Sequence, residues 1–170
     1  MGLGKSDFKI IRVSPTLDTN AYAQNDVLFT ATEIPSCVLG LGGCSKLVAM
    51  YVIDKSNTDS DIDFYFSEGN TALGTINATA DISDANLLNN NICGVARLDA
   101  NQASVGAGLD NARIFQVMPL TGTSEDSNAT MLLQSADDNS SVFVQGILTS
   151  ATTPTYADGD IQLVFHIQKR

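Results

Sequence analysis

Ile62, Phe64 and Phe66 alternate with Asp61, Asp63 and Tyr65, and Val27, Phe29 and Ala31 alternate with Leu28, Thr30 and Thr32. Successive side chains of a strand point to opposite faces, so a period of two is what a half-buried strand requires and what a helix cannot use. Leu47 to Ile53 is an apolar run of strand length, expected to be buried on both faces. Further strands are expected over Phe8 to Val13, Ile92 to Leu98, Ala112 to Met118, Ala129 to Leu133, Val142 to Leu148 and Ile161 to Ile167. Turn chemistry separates them at Gly42-Gly43, Asp54 to Asp59, Gly106 to Asn111, Gly122 to Asn128, Ala136 to Ser140 and Ala157 to Gly159.

About nine short strands without a helical period predict an all-β fold, an antiparallel β-sandwich that is jelly-roll-like. One segment departs from the pattern. Asp81 stands as a capping residue before Ile82, Ala85 and Leu88, which would share a face, so a short helix or turn is expected near residues 81–88. Its surroundings are rich in Asn, and Gly69 to Asn91 reads as one long excursion from the sandwich, the kind of loop that carries partner contacts. Residues 1–13 are expected to form an N-terminal arm or edge strand and residues 14–170 a single sandwich domain, since 170 residues at 44% apolar suffice for one core.

Nine basic residues face nineteen acidic ones. Five of the nine, Lys5, Lys9, Arg12, Lys169 and Arg170, lie in the two ends, leaving four basic against eighteen acidic between Ser14 and Phe165. A body with that balance repels phosphate, and no basic stretch interleaved with aromatics offsets it, so nucleic acid is not an expected partner. The basic ends either contact an acidic partner surface or stand as solvated tails. No run of eighteen apolar residues is present to span a membrane, and MGLGKSDFKII lacks the apolar stretch of a secretory signal.

No residue set carries recognisable catalysis, and no cofactor or metal is expected. Gly4-Lys5-Ser6 matches the end of a phosphate-binding loop, but the first glycine of that loop has no room before Gly4. Gly2 with Ser6 fits the loose myristoylation pattern, which is short enough to arise by chance. Asp59, Asp61 and Asp63 evoke a calcium loop, yet Phe64 stands where that loop needs Gly and Asn70 where it needs Glu. Their alternation fits a strand whose aspartates face water while Ile62 and Phe64 face the core. Cys37 and Cys44 bracket a Gly-rich loop and Cys93 stands apart; reduced, packed thiols are expected, the alternative being a bridge between Cys37 and Cys44.

His166 is the sole histidine, set in an apolar strand with no nucleophile elbow anywhere in the chain. Glu33, Glu68 and Glu125 show no pairing, although spacing alone leaves glycosidase carboxylates open. Asn77-Ala78-Thr79, Asn128-Ala129-Thr130 and Asn139-Ser140-Ser141 match the glycosylation pattern, a chance product of an Asn- and Thr-rich chain.

Two stretches carry a resemblance. Leu17 to Ile34, LDTNAYAQNDVLFTATEI, and Thr153 to Gln168, TPTYADGDIQLVFHIQ, each run from a polar turn with Tyr and Asp into an apolar strand. Together they resemble small structural proteins of tailed-phage virions, chiefly capsid decoration or cement proteins. The resemblance implies a non-enzymatic protein on the outer surface of the capsid, assembled in the host cytoplasm. Its partner would be the major capsid protein, bound by a homotrimer that bridges capsomers. The basic residues Lys5, Lys9, Arg12, Lys169 and Arg170 are the candidate partner-binding set. The alternative is a host-recognition or carbohydrate-binding sandwich of a fibre or spike, weakened by the absence of Trp and the presence of only four Tyr. A hydrolytic enzyme is third.

Overall fold

The computed structural model describes residues 8–101, 104–105, 109, 111–119 and 131–169. The chain runs β1 (Phe8–Val13), β2 (Val27–Ile34), β3 (Cys44–Asp54), β4 (Ile62–Ser67), α1 (Asp84–Asn89), β5 (Ile92–Leu98), β6 (Ser104–Val105), β7 (Arg113–Pro119), β8 (Met131–Gln134), β9 (Val142–Leu148) and β10 (Ile161–Lys169). Two antiparallel sheets pack against each other as the expected β-sandwich. One sheet orders β1-β10-β3, with β7 and β8 sharing the far edge of β3; the other orders β2-β9-β4-β5. β7 bridges them, pairing β3 through Arg113 to Val117 and β5 through Met118 and Pro119. Pairing is nested: β1 with β10, β2 with β9, β3 with β7 and β8, and β4 with β5.

Alternation decides what fills the interior. Leu163, Phe165 and Ile167 of β10 and Met50 and Val52 of β3 point inward, against Ile62, Phe64 and Phe66 of β4 and Val144 of β9, and all are buried. Phe66 and Phe165 meet edge to face across the sheets, centroids 6.0 Å apart. Such a contact adds about 0.5–1.5 kcal/mol to the burial itself.

The two stretches with Tyr and Asp fold alike. In Tyr22-Ala23-Gln24-Asn25-Asp26 the Asp26 carboxylate accepts from the Ala23 amide at 2.7 Å, and in Tyr156-Ala157-Asp158-Gly159-Asp160 that of Asp160 accepts from the Ala157 amide at 2.7 Å. Each turn closes a second bond, from the Asp amide to the Ala carbonyl, at 3.2 and 3.1 Å. Each needs a left-handed residue at its fourth position, supplied by Asn25 (φ 71°) and Gly159 (φ 77°), the residue types that accept that conformation most readily.

The structure corrects several expectations. β3 is not buried on both faces: a register shift between His166 and Ile167 of β10 leaves Val48 as an extra residue, and Val48 is 46% exposed. This β-bulge turns the inward set from Ser45 and Leu47 to Met50, Val52 and Asp54, so β3 has one buried face whose phase switches midway. Asp63 does not face water freely. It is buried beneath Arg97, its neighbour on β5, whose Nε and Nη2 donate to its two oxygens at 2.6 and 2.7 Å. Asp59 pairs with Arg113, and Asp61 accepts from the Ala100 amide at 2.9 Å.

The helix caps on Ser83, not Asp81, because the Ser83 hydroxyl accepts from the Asn86 amide; no residue of α1 is buried, so Ala85 and Leu88 pack no core. Cys44 is exposed, not packed, whereas Cys37 is buried and Cys93 half-buried, all three as free thiols. β6 is a strand with no counterpart in the periodicity. Of the expected turns, 122–128 and, within 106–111, residues 106–108 and 110 lie outside the described residues, as do Lys5, Arg170, the Gly2 to Ser6 patterns, Glu125 and Asn128.

Candidate docking face

The two outer surfaces of the sandwich are treated differently. Over the β2-β9-β4-β5 sheet, the excursion between β4 and β5 lies down and bonds to it. Gln145 of β9 is fully buried there, accepting from the Leu73 amide and donating to the Thr71 carbonyl, both at 2.9 Å. Asn90, also fully buried, locks the same strap by exchanging two bonds with Thr71. The strap also meets β2, through bridges of Val27 with Ile76 and Asp26 with Thr79.

The opposite sheet has no such cover among the described residues. Its outward positions follow from register, since residues paired across an antiparallel ladder share a face. Phe8, Ile10 and Arg12 of β1 lie beside Gln168, His166 and Val164 of β10. These lie beside Lys46, Ala49 and Tyr51 of β3, and Tyr51 beside Gln116 of β7. Phe8 is 60% exposed and Ile10 50%, and on β8 the outward Leu132 is 63% exposed. Large apolar side chains gathered on one open sheet are an energetic liability in a lone molecule and a common mark of a contact surface.

Charge sharpens the contrast. No carboxylate occupies an outward position on the described strands of this sheet, in a chain whose formal charge is −10. Arg12 is exposed there and Lys46 half-buried. Among the described residues, the salt bridges are Arg97 to Asp63 and Arg113 to Asp59. Arg12, Lys46, Lys9 and Lys169 join neither pair. Meanwhile Asp54, Asp61, Asp99, Asp158 and Asp160 cluster at the end of the sandwich where β3 finishes and β4 and β10 begin.

The basic residues singled out from the sequence are only partly brought together. β1 and β10 do lie side by side, as the joining of the two ends requires. Arg12 points outward, however, while Lys9 and Lys169 have the parity of the inward residues Ile11 and Ile167 and stand at the sandwich rim. Lys46, Tyr51 and His166 complete the face and were not in that set. His166 packs diagonally beside Tyr51, ring centroids 5.4 Å apart and planes tilted by 54°. In the sequence Tyr51 is part of an apolar run and one of four tyrosines, and Lys46 is an isolated cation; only the sheet order makes them neighbours.

The chemistry available to this face is association. It offers two cations, half-exposed rings and amides on one sheet face. Among the described residues no cluster of three or more His, Cys, Asp or Glu could hold a metal ion, and no helix is long and apolar enough to cross a membrane. No protein-family model, curated protein or solved structure matches the chain.

Proposed function

We propose that this chain is a non-enzymatic structural protein of a tailed-phage virion that docks on the capsid lattice through the outer face of the β1-β10-β3 sheet and reinforces it. The observation that carries the reading is the inequality of the two faces: one is strapped by its own excursion, while the other, among the described residues, is uncovered, exposes Phe8, Ile10 and Leu132 and has no outward carboxylate on its strands. The nested strand pairing, in which the chain behaves as one long hairpin wound on itself, supports the jelly-roll form of the sandwich. In this reading the partner is the major capsid protein, presenting carboxylates to Arg12 and Lys46, and the acidic loop end stands to the side of the contact. Leu39 and Leu41, 59% and 69% exposed, are then covered by neighbouring copies in a homotrimer.

The test is retention on purified particles across a salt series, comparing the wild type with an Arg12→Ser, Lys46→Ser double variant. Exposed charges are screened over about 10 Å at 0.1 M salt, so the wild type should dissociate as salt rises and the variant should start weak. Equal retention of both proteins at every salt concentration would remove the charged-face reading.

One observation favours a second reading, host recognition through sugars. Tyr51 is half-exposed on the outer sheet face, with Gln116 beside it on β7 and His166 diagonally beside it on β10. A ring flanked by amide donors and acceptors suits a sugar ring, which presents an apolar face and a polar edge. Titration with glycans of the host surface, with Tyr51→Ala as control, distinguishes it from lattice docking.

A further inference from the structure

The same inequality extends to the sheet edges. β2, the outer strand of one sheet, is broken by two register shifts and bridged at Val27 by Ile76. β1, the outer strand of the other, pairs β10 without a shift over all six residues, and its second edge has no strand partner among the described residues. An unbroken edge strand presents a row of unpaired amides and carbonyls, which another extended chain can complete.

We infer that the free edge of β1 receives an extended strand from the docking partner, and that this strand carries two carboxylates three residues apart with apolar residues between and beside them. The spacing follows from β1 itself. Lys9 and Arg12 are exposed and unpaired within the described protein, and they stand on opposite sides of the sheet because their separation is odd. An added antiparallel strand meets Arg12, Ile11, Ile10, Lys9 and Phe8 in turn. Its complement is acidic, apolar, apolar, acidic, apolar. A second copy of β1 fits less well, because pairing two such strands gathers four cations with no carboxylate between them.

The inference rests on the docking reading for its setting, but the two fail separately. The test uses the full chain with the peptide Thr-Glu-Val-Val-Glu-Val-Thr at millimolar concentration and follows amide hydrogen exchange residue by residue. Alternate amides of Phe8 to Val13, those facing the free edge, should slow about tenfold, and added salt should reverse the effect. A control, Thr-Val-Glu-Val-Glu-Val-Thr, has the same composition but puts both carboxylates on one side; it should protect at least several-fold less. Equal protection by both peptides, or by neither, overturns the inference. Protection that grows with protein concentration alone assigns the edge to a second copy and overturns it as well. If the peptide binds while particle retention ignores Arg12 and Lys46, the docking reading has failed and the edge stands; salt-sensitive retention without peptide protection gives the reverse.

Discussion

Tyr22 and Tyr156 meet edge to face with ring centroids 5.9 Å apart, tying the turn before β2 to the turn before β10. The backbone joins at the same point, where the Tyr22 amide donates to the Pro154 carbonyl at 3.0 Å. Both rings are buried and both hydroxyls are used. Tyr22 donates to the Leu28 carbonyl and accepts from the Asp18 amide, and Tyr156 donates to Thr58, which donates in turn to the buried Asp54.

Burial pushes the Tyr22 phenol up to about 12 and raises Tyr156 as well. The neutral phenols therefore contribute stability that is fully present below the unfolded value of about 10 and is lost as pH rises from there toward 12. Denaturant midpoints should fall across that window, and Tyr22→Phe should flatten the fall while lowering stability by about 1–3 kcal/mol at neutral pH. A fall of unchanged steepness in the variant would contradict this assignment.

Gly146 of β9 lies opposite Phe29 of β2, and a Cβ placed on it would sit 2.4 Å from Phe29 Cε1. Phe29 is fully buried and cannot swing away cheaply. Gly146→Ala should cost about 1–3 kcal/mol, measured by chemical denaturation. Gly159→Ala, whose Cβ would meet only Lys55 Nζ at 4.0 Å but at φ 77°, should cost about 1 kcal/mol through backbone strain.

Thiol labelling should follow burial. Cys44 is exposed, Cys93 half-buried, and Cys37 buried with its thiol pushed up to about 11 by desolvation. Alkylation of the native protein should modify Cys44 first, and Cys37 only at the rate of unfolding. Mass spectrometry of untreated protein should show three free thiols; a mass two hydrogens lower would reveal a bridge.

Arg97 holds Asp63 through a two-pronged bond, with the Arg side chain 48% exposed and the Asp 7%. Removing the partner strands a covered carboxylate. Arg97→Ala should cost about 1–2 kcal/mol, less than a fully buried pair because water reaches the arginine. Arg97→Ala combined with Asp63→Asn should recover part of that loss in the same denaturation assay.

Much of the sandwich was readable from alternation: the expected limits of β1, β5 and β9 coincide with the observed ones, because apolar and polar positions change over sharply at their ends. The bulge at Val48 was not, since Leu47-Val48-Ala49-Met50 is apolar throughout and carries no phase. Asp63 was misread because a period of two gives direction and not company; the cation that lets it be covered comes from another strand. The docking face was legible least. Arg12, Lys46, Tyr51 and His166 belong to three strands spread over most of the chain, and nothing local reports that β1, β10 and β3 are neighbours.

On the proposed function, the open face of the β1-β10-β3 sheet meets the lattice. A reconstruction of intact virions carrying this protein, resolved well enough to separate strands, tests it directly. Arg12, Lys46 and Tyr51 should lie against the capsid, with the strap over Gln145 turned to solvent. Density placing the strap against the lattice and the open face in solvent, or particles without the protein, would contradict it.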